Sequence, residues 1–246
     1  MIHLKSADEI GTIARAGAIL AALYAVLPER VRPGATTAEL DRFAEGFVRD
    51  HRGAEPAFKG LYGFPATLCT SVNHEVVHGI PSNRRKLVEG DVLSVDCGVK
   101  LDGFYADAAV TFPVGEIAPE VARLLEQTRH ALELGMAEAR PGRRLGDVGA
   151  AIQEVADAEG YGVVRELVGH GIGTRFHEEP QVPNYGAPRR GPRLLEGMTL
   201  AIEPMITMGN PATRTLGDKW TVVTQDGSLS AHFEHTVAIT ANGPRI

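Results

Sequence analysis

The feature that most constrains the fold of this 246-residue sequence is an internal repeat. Residues 89–96 read EGDVLSVD and residues 196–203 read EGMTLAIE, so each segment places a carboxylate eighth in the frame, after an alternating strand pattern. Each is followed by an Asp-Gly turn, at Asp102-Gly103 and Asp226-Gly227, and by a strand with a further acid, Asp107 or Glu234. We therefore expect two matched hairpins whose acids meet on a pseudo-twofold axis.

Each half also begins with two predicted helices. Ser6 with Glu9, and Thr36 with Glu39, form capping boxes, and the second half repeats the pair at about Pro119–Ala139 and Leu145–Glu159. Strand patterns follow at residues 65–81, 92–99 and 103–112, and then at 163–168, 199–207, 219–224 and 230–239. The order predicts an α+β fold of two pseudo-symmetric ααβ halves, about 6–113 and 114–246, in one catalytic domain that spans 1–246.

Four acids lie inside these strand patterns, where carboxylates are normally depleted. Asp96 and Glu203 each follow an apolar run, Asp107 precedes one, and Glu234 lies beside Phe233. Burying an isolated carboxylate is costly, so each needs a positive neighbour. Lysine and arginine are scarce in these segments, which makes bound cations the natural counter-charge.

One histidine completes this candidate ligand set. His170 lies in the run GHGIG at residues 169–173, where glycines on both sides let the backbone come close to a site. Four carboxylates with one imidazole form an oxygen-rich set that suits a pair of Mn²⁺, Fe²⁺ or Co²⁺ ions better than a closed structural zinc site. Two such ions can share a hydroxide nucleophile and hold a carbonyl oxygen between them.

Bulk composition excludes several other classes of protein. The net charge of −6 argues against dedicated nucleic-acid binding, and the basic runs 84–86 and 189–193 are typical of solvated loops. Two cysteines, Cys69 and Cys97, do not make a disulfide framework and fit a reducing compartment. The first residues do not resemble a signal peptide, and no window approaches a membrane span, so we expect a cytoplasmic protein without membrane contact.

A competing motif is present at residues 74–78, which read HEVVH and fit the zincin pattern. In zincins the motif lies on a helix, so that both histidines share one face and the glutamate acts as base. Here adjacent valines lie inside the motif, and Gly79-Ile80-Pro81 follows it. This context favours strand and loop, in which Glu75 points away from His74 and His78.

The ordered motifs resemble those of the type I methionine aminopeptidases over nearly the whole chain. The stretch 63–81, GFPATLCTSVNHEVVHGIP, resembles the first motif of that family, and Asp96 and Asp107, with ten residues between them, resemble its two-aspartate motif. GHGIG and then FHEEPQVPN at 176–184 resemble its histidine region. AIEP at 201–204 and FEHT at 233–236 complete the pattern.

The resemblance implies a pita-bread fold with a curved antiparallel sheet, and a hydrolase that removes the initiator methionine when the second residue is small. It implies metal ligation by Asp96, Asp107, His170, Glu203 and Glu234, with Glu203 also managing the proton of a bridging hydroxide. His78 and His177 match two histidines that contact the scissile peptide and stabilise the oxyanion. The sequence leaves the two divalent ions open among Co²⁺, Mn²⁺, Fe²⁺ and Zn²⁺.

By the same resemblance, an apolar pocket for the methionine side chain is expected from Phe58, Leu61, Phe64, Cys69, Phe176 and Trp220. Leu61-Tyr62 departs from the family's usual tyrosine followed by histidine or asparagine. Asn73 and Ser230 match positions where the family can bind a monovalent cation through backbone oxygens. The expected partners are the N-termini of nascent polypeptides, with a transient ribosome contact, and the expected state is a monomer.

Three rival interpretations stay open on the sequence. X-Pro aminopeptidases and prolidases share the five ligands but normally carry an additional N-terminal domain, whereas the first capped helix here begins at Ser6. Type II methionine aminopeptidases typically carry a large late insertion, for which the spacing from His170 to Glu203 and Glu234 is too short. A non-catalytic binding protein on the same fold would not need all five ligands and both histidines.

Overall fold

Two helical pairs flank the molecule, one at the start of each half. The computed structural model describes residues 2–246, and its helices are α1 (Ala7–Val26), α2 (Thr37–Arg49), α3 (Pro119–Glu138) and α4 (Leu145–Glu159). The predicted capping boxes are present: the Ser6 and Thr36 hydroxyls accept hydrogen bonds from the Glu9 and Glu39 backbone N–H groups. The four predicted helices are therefore confirmed, and α3 and α4 lie within a residue of their predicted bounds.

The strands are mostly short, and two long ones dominate. They are β1 (Ala54–Pro56), β2 (Leu68–Val72), β3 (Glu75–Val77), β4 (Val92–Leu101), β5 (Phe104–Pro113), β6 (Gly162–Val163), β7 (Gly169–Gly171), β8 (Glu178–Val182), β9 (Thr199–Ile202), β10 (Met205–Thr207), β11 (Thr213–Thr215), β12 (Val222–Thr224), β13 (Ser230–His232), β14 (Glu234–Thr240) and β15 (Gly243–Arg245). The predicted α+β class is confirmed.

The central sheet is antiparallel and joins the two halves along one seam. Its main path runs β1-β4-β5-β14-β9-β7-β8, while β2 pairs with β4 and β15 pairs with β14. Strand β5, from the first half, pairs with β14, from the second, through Glu234 opposite Ala109 and His235 opposite Ala108. The seam lies between the acid-bearing strands, as expected for a site shared by two similar halves.

The second hairpin is less regular than the sequence predicts. Asp102-Gly103 joins β4 directly to β5, but β9 and β14 pair although β10 to β13 lie between them in the chain. The predicted strand 199–207 ends at Ile202 and resumes at Met205, and Phe233 interrupts 230–239. The expectation that Asp226-Gly227 joins the two acid-bearing strands is therefore wrong, because that turn joins β12 to β13.

Each half packs its helices on the outer face of the sheet. Leu20 and Leu23 of α1 are buried against β4 and β5, and the Tyr24 hydroxyl donates to a backbone carbonyl of β5. Helices α3 and α4 pack likewise on β9 and β14 through Leu132 and Ile152. Helix α1 is long and apolar enough to span a membrane by length and composition, contrary to the expectation above, but its larger apolar side chains Ile13, Ile19, Leu20 and Leu23 are buried in this core.

Candidate metal centre and substrate pocket

Three of the predicted ligands lie on the seam of the sheet. Asp96 of β4 is opposite Ala109 of β5, and Ala109 is in turn opposite Glu234 of β14. Asp107 is two residues before Ala109, and side chains two residues apart share a face of a strand. The three acids therefore project from the same face, opposite to the face that the helices cover.

Glu203 and His170 come to this face from the neighbouring strands. His170 of β7 is opposite Ala201 of β9, and Glu203 follows two residues after Ala201, just past the end of that strand. The distance from His170 Nε2 to Glu203 Oε1 is 3.7 Å. One oxygen each of Asp107 and Glu234 and one nitrogen of His170 lie within 4.8 Å of one another. The structure thus brings all five predicted ligands together.

Burial and mutual repulsion dominate the electrostatics of the four acids. Loss of water raises the pKa of Asp96, Asp107, Glu203 and Glu234, and for Asp96, Glu203 and Glu234 the nearby carboxylates raise it further. Burial lowers the pKa of His170 to about 4, so its ring is neutral near neutral pH. The Nδ1 atom of His170 lies 2.8 Å from the Gly171 carbonyl oxygen, which assigns the proton to Nδ1 and leaves Nε2 free to bind an ion.

The unpaired atoms of this cluster fit bound cations. Asp96 Oδ1 and Glu234 Oε1 are buried without a hydrogen-bond partner. Within residues 2–246, no lysine or arginine forms a salt bridge with any of the four acids. Acids this crowded stay ionised only beside positive charge, and their oxygens with one imidazole are a suitable donor set for divalent metals.

An apolar pocket with a cavity volume of about 150 Å³ opens above the acids. It is lined by every predicted site residue and by one more, Tyr62: Phe58, Leu61, Tyr62, Phe64, Cys69, His78, Asp96, Asp107, His170, Phe176, His177, Glu203, Trp220 and Glu234. The aromatic rings pack edge to face, with centroid separations of 5.3 Å for Phe58–Phe176 and 5.1 Å for Phe64–Trp220. The site therefore combines a polar floor with apolar walls.

The two further predicted histidines both line this pocket. His78 is half-buried, and loss of water lowers its pKa to about 4, with His177 adding to the effect. His177 lies at the mouth with its ring centroid 4.4 Å from that of His170, and partial loss of water lowers its pKa as well. The turn that presents His177 is fixed by a buried salt bridge of 2.6 Å between Lys5 and Glu178.

Comparison with known proteins agrees with this geometry. The model of metallopeptidase family M24 matches residues 11–241. A methionine aminopeptidase from Clostridium perfringens is 54% identical, and the match covers 100% of this chain and 98% of the relative. The crystal structure of a methionine aminopeptidase from Thermotoga maritima superposes with a TM-score of 0.98 at 44% identity, over 100% of this chain and 98% of that one.

The chain belongs to metallopeptidase family M24, among the methionine aminopeptidases. The predicted pita-bread fold is confirmed by the same solved structures. A prolidase from Pyrococcus furiosus shares the fold alone, with a TM-score of 0.79 at 24% identity, over 98% of this chain and 64% of that one.

The HEVVH segment of this M24 member does not form a zincin site. Glu75–Val77 is strand β3, and His74 precedes it in a turn. Glu75 accepts a hydrogen bond from the Val72 backbone N–H, and His78 has a positive φ of 59°. The helix that zincin chemistry requires is absent here, so that alternative is wrong and only His78 reaches the pocket.

The sequence predicted no role for two residues that lie at the site, Tyr62 and His232. Tyr62 is 72% exposed, and its ring stacks on His177 at an interplanar angle of 17°, with its hydroxyl 3.3 Å from His177 Nδ1. His232 is almost fully buried behind Glu203, and burial lowers its pKa to about 3. A histidine two residues before a predicted ligand on a strand was the available signal for His232, since both side chains then share a face.

The predicted monovalent-cation positions are neighbours in the structure. Asn73 has a positive φ of 60°, and its backbone carbonyl accepts a hydrogen bond from the Ser230 N–H at 2.9 Å. The Asn73 side chain is held by Asp91 and Val92. This contact ties the first half of the chain to β13 of the second.

Proposed function

We propose that this protein is a metal-dependent aminopeptidase that removes the initiator methionine from polypeptides, preferentially when the second residue is small. The observation that carries the proposal is the convergence of four buried acids and one neutral imidazole at the floor of an apolar pocket. The full-length likeness to methionine aminopeptidases supports the same assignment.

In this proposal Asp96, Asp107, His170, Glu203 and Glu234 hold a pair of divalent ions. Bound there, the ions would neutralise the acids and would supply Lewis-acid chemistry that polarises a carbonyl and activates water. The surplus of acids over other donors at the floor supports two ions rather than one. Their identity, among Co²⁺, Mn²⁺, Fe²⁺ and Zn²⁺, is a matter for metal analysis.

The chain's own groups then move protons and stabilise charge. Glu203 takes a proton from the attacking water on its carboxylate and delivers it to the leaving amine. His78 and His177, both neutral because burial lowers their pKa, donate N–H groups to the carbonyl oxygen as negative charge develops there.

The pocket selects the methionine side chain by shape and polarity. Phe58, Phe64, Cys69, Phe176 and Trp220, with Leu61, form apolar walls that a flexible thioether fills well. Gly98 on β4 leaves room for these rings, since a Cβ there would approach Phe176 and Phe58 to within 2.9 Å. We propose that crowding beside the pocket, by His177 and Tyr62 at its mouth, restricts the second residue to small side chains.

Further parts of the proposal concern the setting of the enzyme. We place it in the cytoplasm as a monomer that acts on nascent chains, with transient ribosome contact through the basic loops 84–86 and 189–193. A monovalent cation near Asn73 and Ser230 would stabilise the contact between the halves. Sedimentation of the protein with ribosomes at low and high salt tests the loop contact, because phosphate contacts weaken with salt.

Cleavage of the peptide Met-Ala-Ser tests the central proposal. We expect free methionine on addition of Mn²⁺ or Co²⁺, and none after chelation with EDTA. A matched peptide with leucine at the second position should be cleaved far more slowly, because a large side chain meets the crowded mouth.

Two outcomes would contradict this assignment. Cleavage only of peptides with proline in the second position would identify an X-Pro aminopeptidase or prolidase activity instead. Metal binding without cleavage of any peptide would identify a non-catalytic binding protein on the same fold.

A further inference from the structure

A third histidine, His232, lies against the predicted ligand Glu203, outside the lining of the pocket. Its side chain is 2% exposed, and its Nε2 atom is buried without a hydrogen-bond partner. Buried polar atoms are nearly always paired, so an unpaired one calls for a physical explanation. His232 does not line the pocket, so substrate is not its partner.

A group that can accept a hydrogen bond from this nitrogen lies nearby, the carboxylate of Glu203. His232 Nε2 lies 3.8 Å from Glu203 Oε2, while His170 Nε2 lies 3.7 Å from Glu203 Oε1. Each oxygen of Glu203 thus faces a different imidazole, one on the pocket side and one behind. A separation of 3.8 Å exceeds a formed hydrogen bond, but such contacts often tighten only when an active site is fully assembled.

The backbone of His232 is held firmly enough to aim this side chain. Its N–H donates to the Thr111 hydroxyl at 2.9 Å, and its carbonyl accepts from the same hydroxyl at 2.8 Å. Thr111 is bonded in turn to the Ser94 hydroxyl at 2.8 Å, and His232 is opposite Met205 in the β10–β13 pair. The backbone of His232 is therefore anchored to β5 directly, to β4 through Thr111, and to β10 by strand pairing.

We propose that His232 is a positioning residue for Glu203: the Nε2–H group of His232 donates a hydrogen bond to Glu203 Oε2 in the metal-loaded enzyme. The hydrogen bond fixes the carboxylate so that Oε1 faces the pocket, where the proposed function requires Glu203 both to hold an ion and to move a proton. The inference rests on that function. Groups that hydrogen-bond to a metal-binding carboxylate set its orientation and basicity.

The tautomer of His232 gives a direct test that needs no variant. In ¹⁵N-labelled protein loaded with Zn²⁺, a diamagnetic ion, two-bond nitrogen–proton spectra separate Nε2–H from Nδ1–H imidazoles. We expect His232 as the Nε2–H form. A Nδ1–H form overturns the proposal, because Nε2 would then be unable to donate to Glu203.

Substitution separates this hydrogen bond from a space-filling role. His232→Leu keeps an apolar volume but removes the donor, and we expect it to lower kcat for Met-Ala-Ser and the calorimetric affinity for Zn²⁺ by about 10–100-fold. KM should change little, since His232 does not touch the pocket. His232→Gln, whose amide N–H reaches a similar distance, should restore most of both.

A matched control comes from the neighbouring strand. His235 is half-buried, and its side chain lies on the opposite face of the sheet, beside α3, so His235→Leu should leave kcat and Zn²⁺ affinity close to wild type. Equal losses in the Gln and Leu variants of His232, or unchanged kcat and affinity in the Leu variant, would overturn the proposal.

The same measurements distinguish failure of the His232 proposal from failure of the proposed function on which it rests. If wild-type protein releases no methionine, the proposed function fails, while the tautomer and the Zn²⁺ affinities still report on the His232–Glu203 contact. If His232→Leu does not fold, as judged by its circular dichroism, the tautomer of the wild-type and the behaviour of His232→Gln decide.

Discussion

The two halves of this molecule each bring two acids to the site, but the strands that carry them are regular in the first half and broken in the second. In the first half, two ten-residue strands joined by a tight turn carry Asp96 and Asp107 on one rigid hairpin. In the second, Glu203 and Glu234 lie where strands break, and the chain between them forms β10 to β13. The first half therefore provides a fixed floor, and the second provides the floor's other side together with a pocket wall that includes Trp220.

The two halves share the face of the sheet from which their acids project, but they differ in the chain connection between those acids. Residues opposite one another in an antiparallel sheet share a face whatever the length of chain that links them. This is why Glu234 can lie beside Ala109 although β14 follows β9 only after a long excursion.

The largest expected loss of activity comes from replacing matched acids of the two halves. Asp107→Ala and Glu234→Ala should each lower kcat by on the order of a thousandfold or more, beyond the 10–100-fold typical of residues that only orient a ligand. Both should also lose metal, measured by elemental analysis after dialysis. Retention of metal and activity in one variant but not in the other would show that the ions belong to one half alone.

Controls for that pair come from the remaining acids and from His74. Asp96→Ala and Glu203→Ala should likewise abolish turnover. His74→Ala should leave most of the activity, because His74 lies in a turn outside the pocket. Loss of metal on His74→Ala would contradict the assignment of the site.

The two pocket histidines extend the comparison, since His78 belongs to the first half and His177 to the second. Replacing either by alanine should lower kcat by about 100–1,000-fold, the effect of removing one donor to an oxyanion. Metal content should be unchanged because neither residue is within the ligand cluster. Steady-state kinetics with Met-Ala-Ser measures the effect, and a change confined to KM would assign them to ground-state binding only.

Glycines beside the site test the rigidity of each half. At Gly98, in the first half, an added Cβ meets the side chains of Phe176, Phe58 and Ala57, whereas at Gly171, in the second, it meets the Glu179 backbone carbonyl. We expect Gly98→Ala to lower the free energy of unfolding by about 2 kcal/mol and Gly171→Ala by about 3 kcal/mol, because side chains can shift further than the backbone of a paired strand. Urea unfolding measures both, and the reverse order would mean that the second half is the softer one.

Removal of metal should expose the repulsion between the two halves. Burial raises the pKa of the four acids, so folding favours their protonated forms; this stabilisation is present at low pH and is lost as pH rises through the raised pKa values, to about 7 for Asp107. His170, whose pKa is lowered to about 4, acts oppositely and destabilises only below neutral pH. The apoprotein should therefore lose melting temperature as pH rises to about 7, the raised pKa of Asp107, while Mn²⁺-loaded protein should not.

Thermal melts with EDTA or with Mn²⁺ across this pH range measure the difference. Each ion that binds should displace protons from the acids, which calorimetry in buffers of different ionisation enthalpy detects. A stability gap that is constant with pH would contradict the raised pKa values.

The smallest expected effect concerns the contact between Tyr62 of the first half and His177 of the second. Tyr62→Phe keeps the stacked ring and removes the hydroxyl 3.3 Å from His177 Nδ1. We expect kcat to fall by only about two- to fivefold, the value of one exposed hydrogen bond. Tyr62→Ala, which also removes the stack, should lower kcat further, and equal effects of the two variants would assign the whole contribution to the hydroxyl.

Much of the fold was predictable from local patterns. Capping boxes at Ser6 and Thr36 placed two helices, because those hydrogen bonds join residues only three apart. Alternating apolar residues placed β4 and β5 for a similar reason. The breaks after Ile202 and at Phe233 were not predictable, because nothing local to either segment states which strand will pair with it.

The sequence by itself determined the duplicated frame and predicted the candidate ligands and pocket residues, since acids inside strand patterns and ordered motifs can be recognised one segment at a time. Only the tertiary structure decided that Tyr62 stacks on His177 and that His232 lies behind Glu203. Those contacts join residues far apart in the chain, and such proximity follows from the pairing of β5 with β14 and of β10 with β13 rather than from any local pattern.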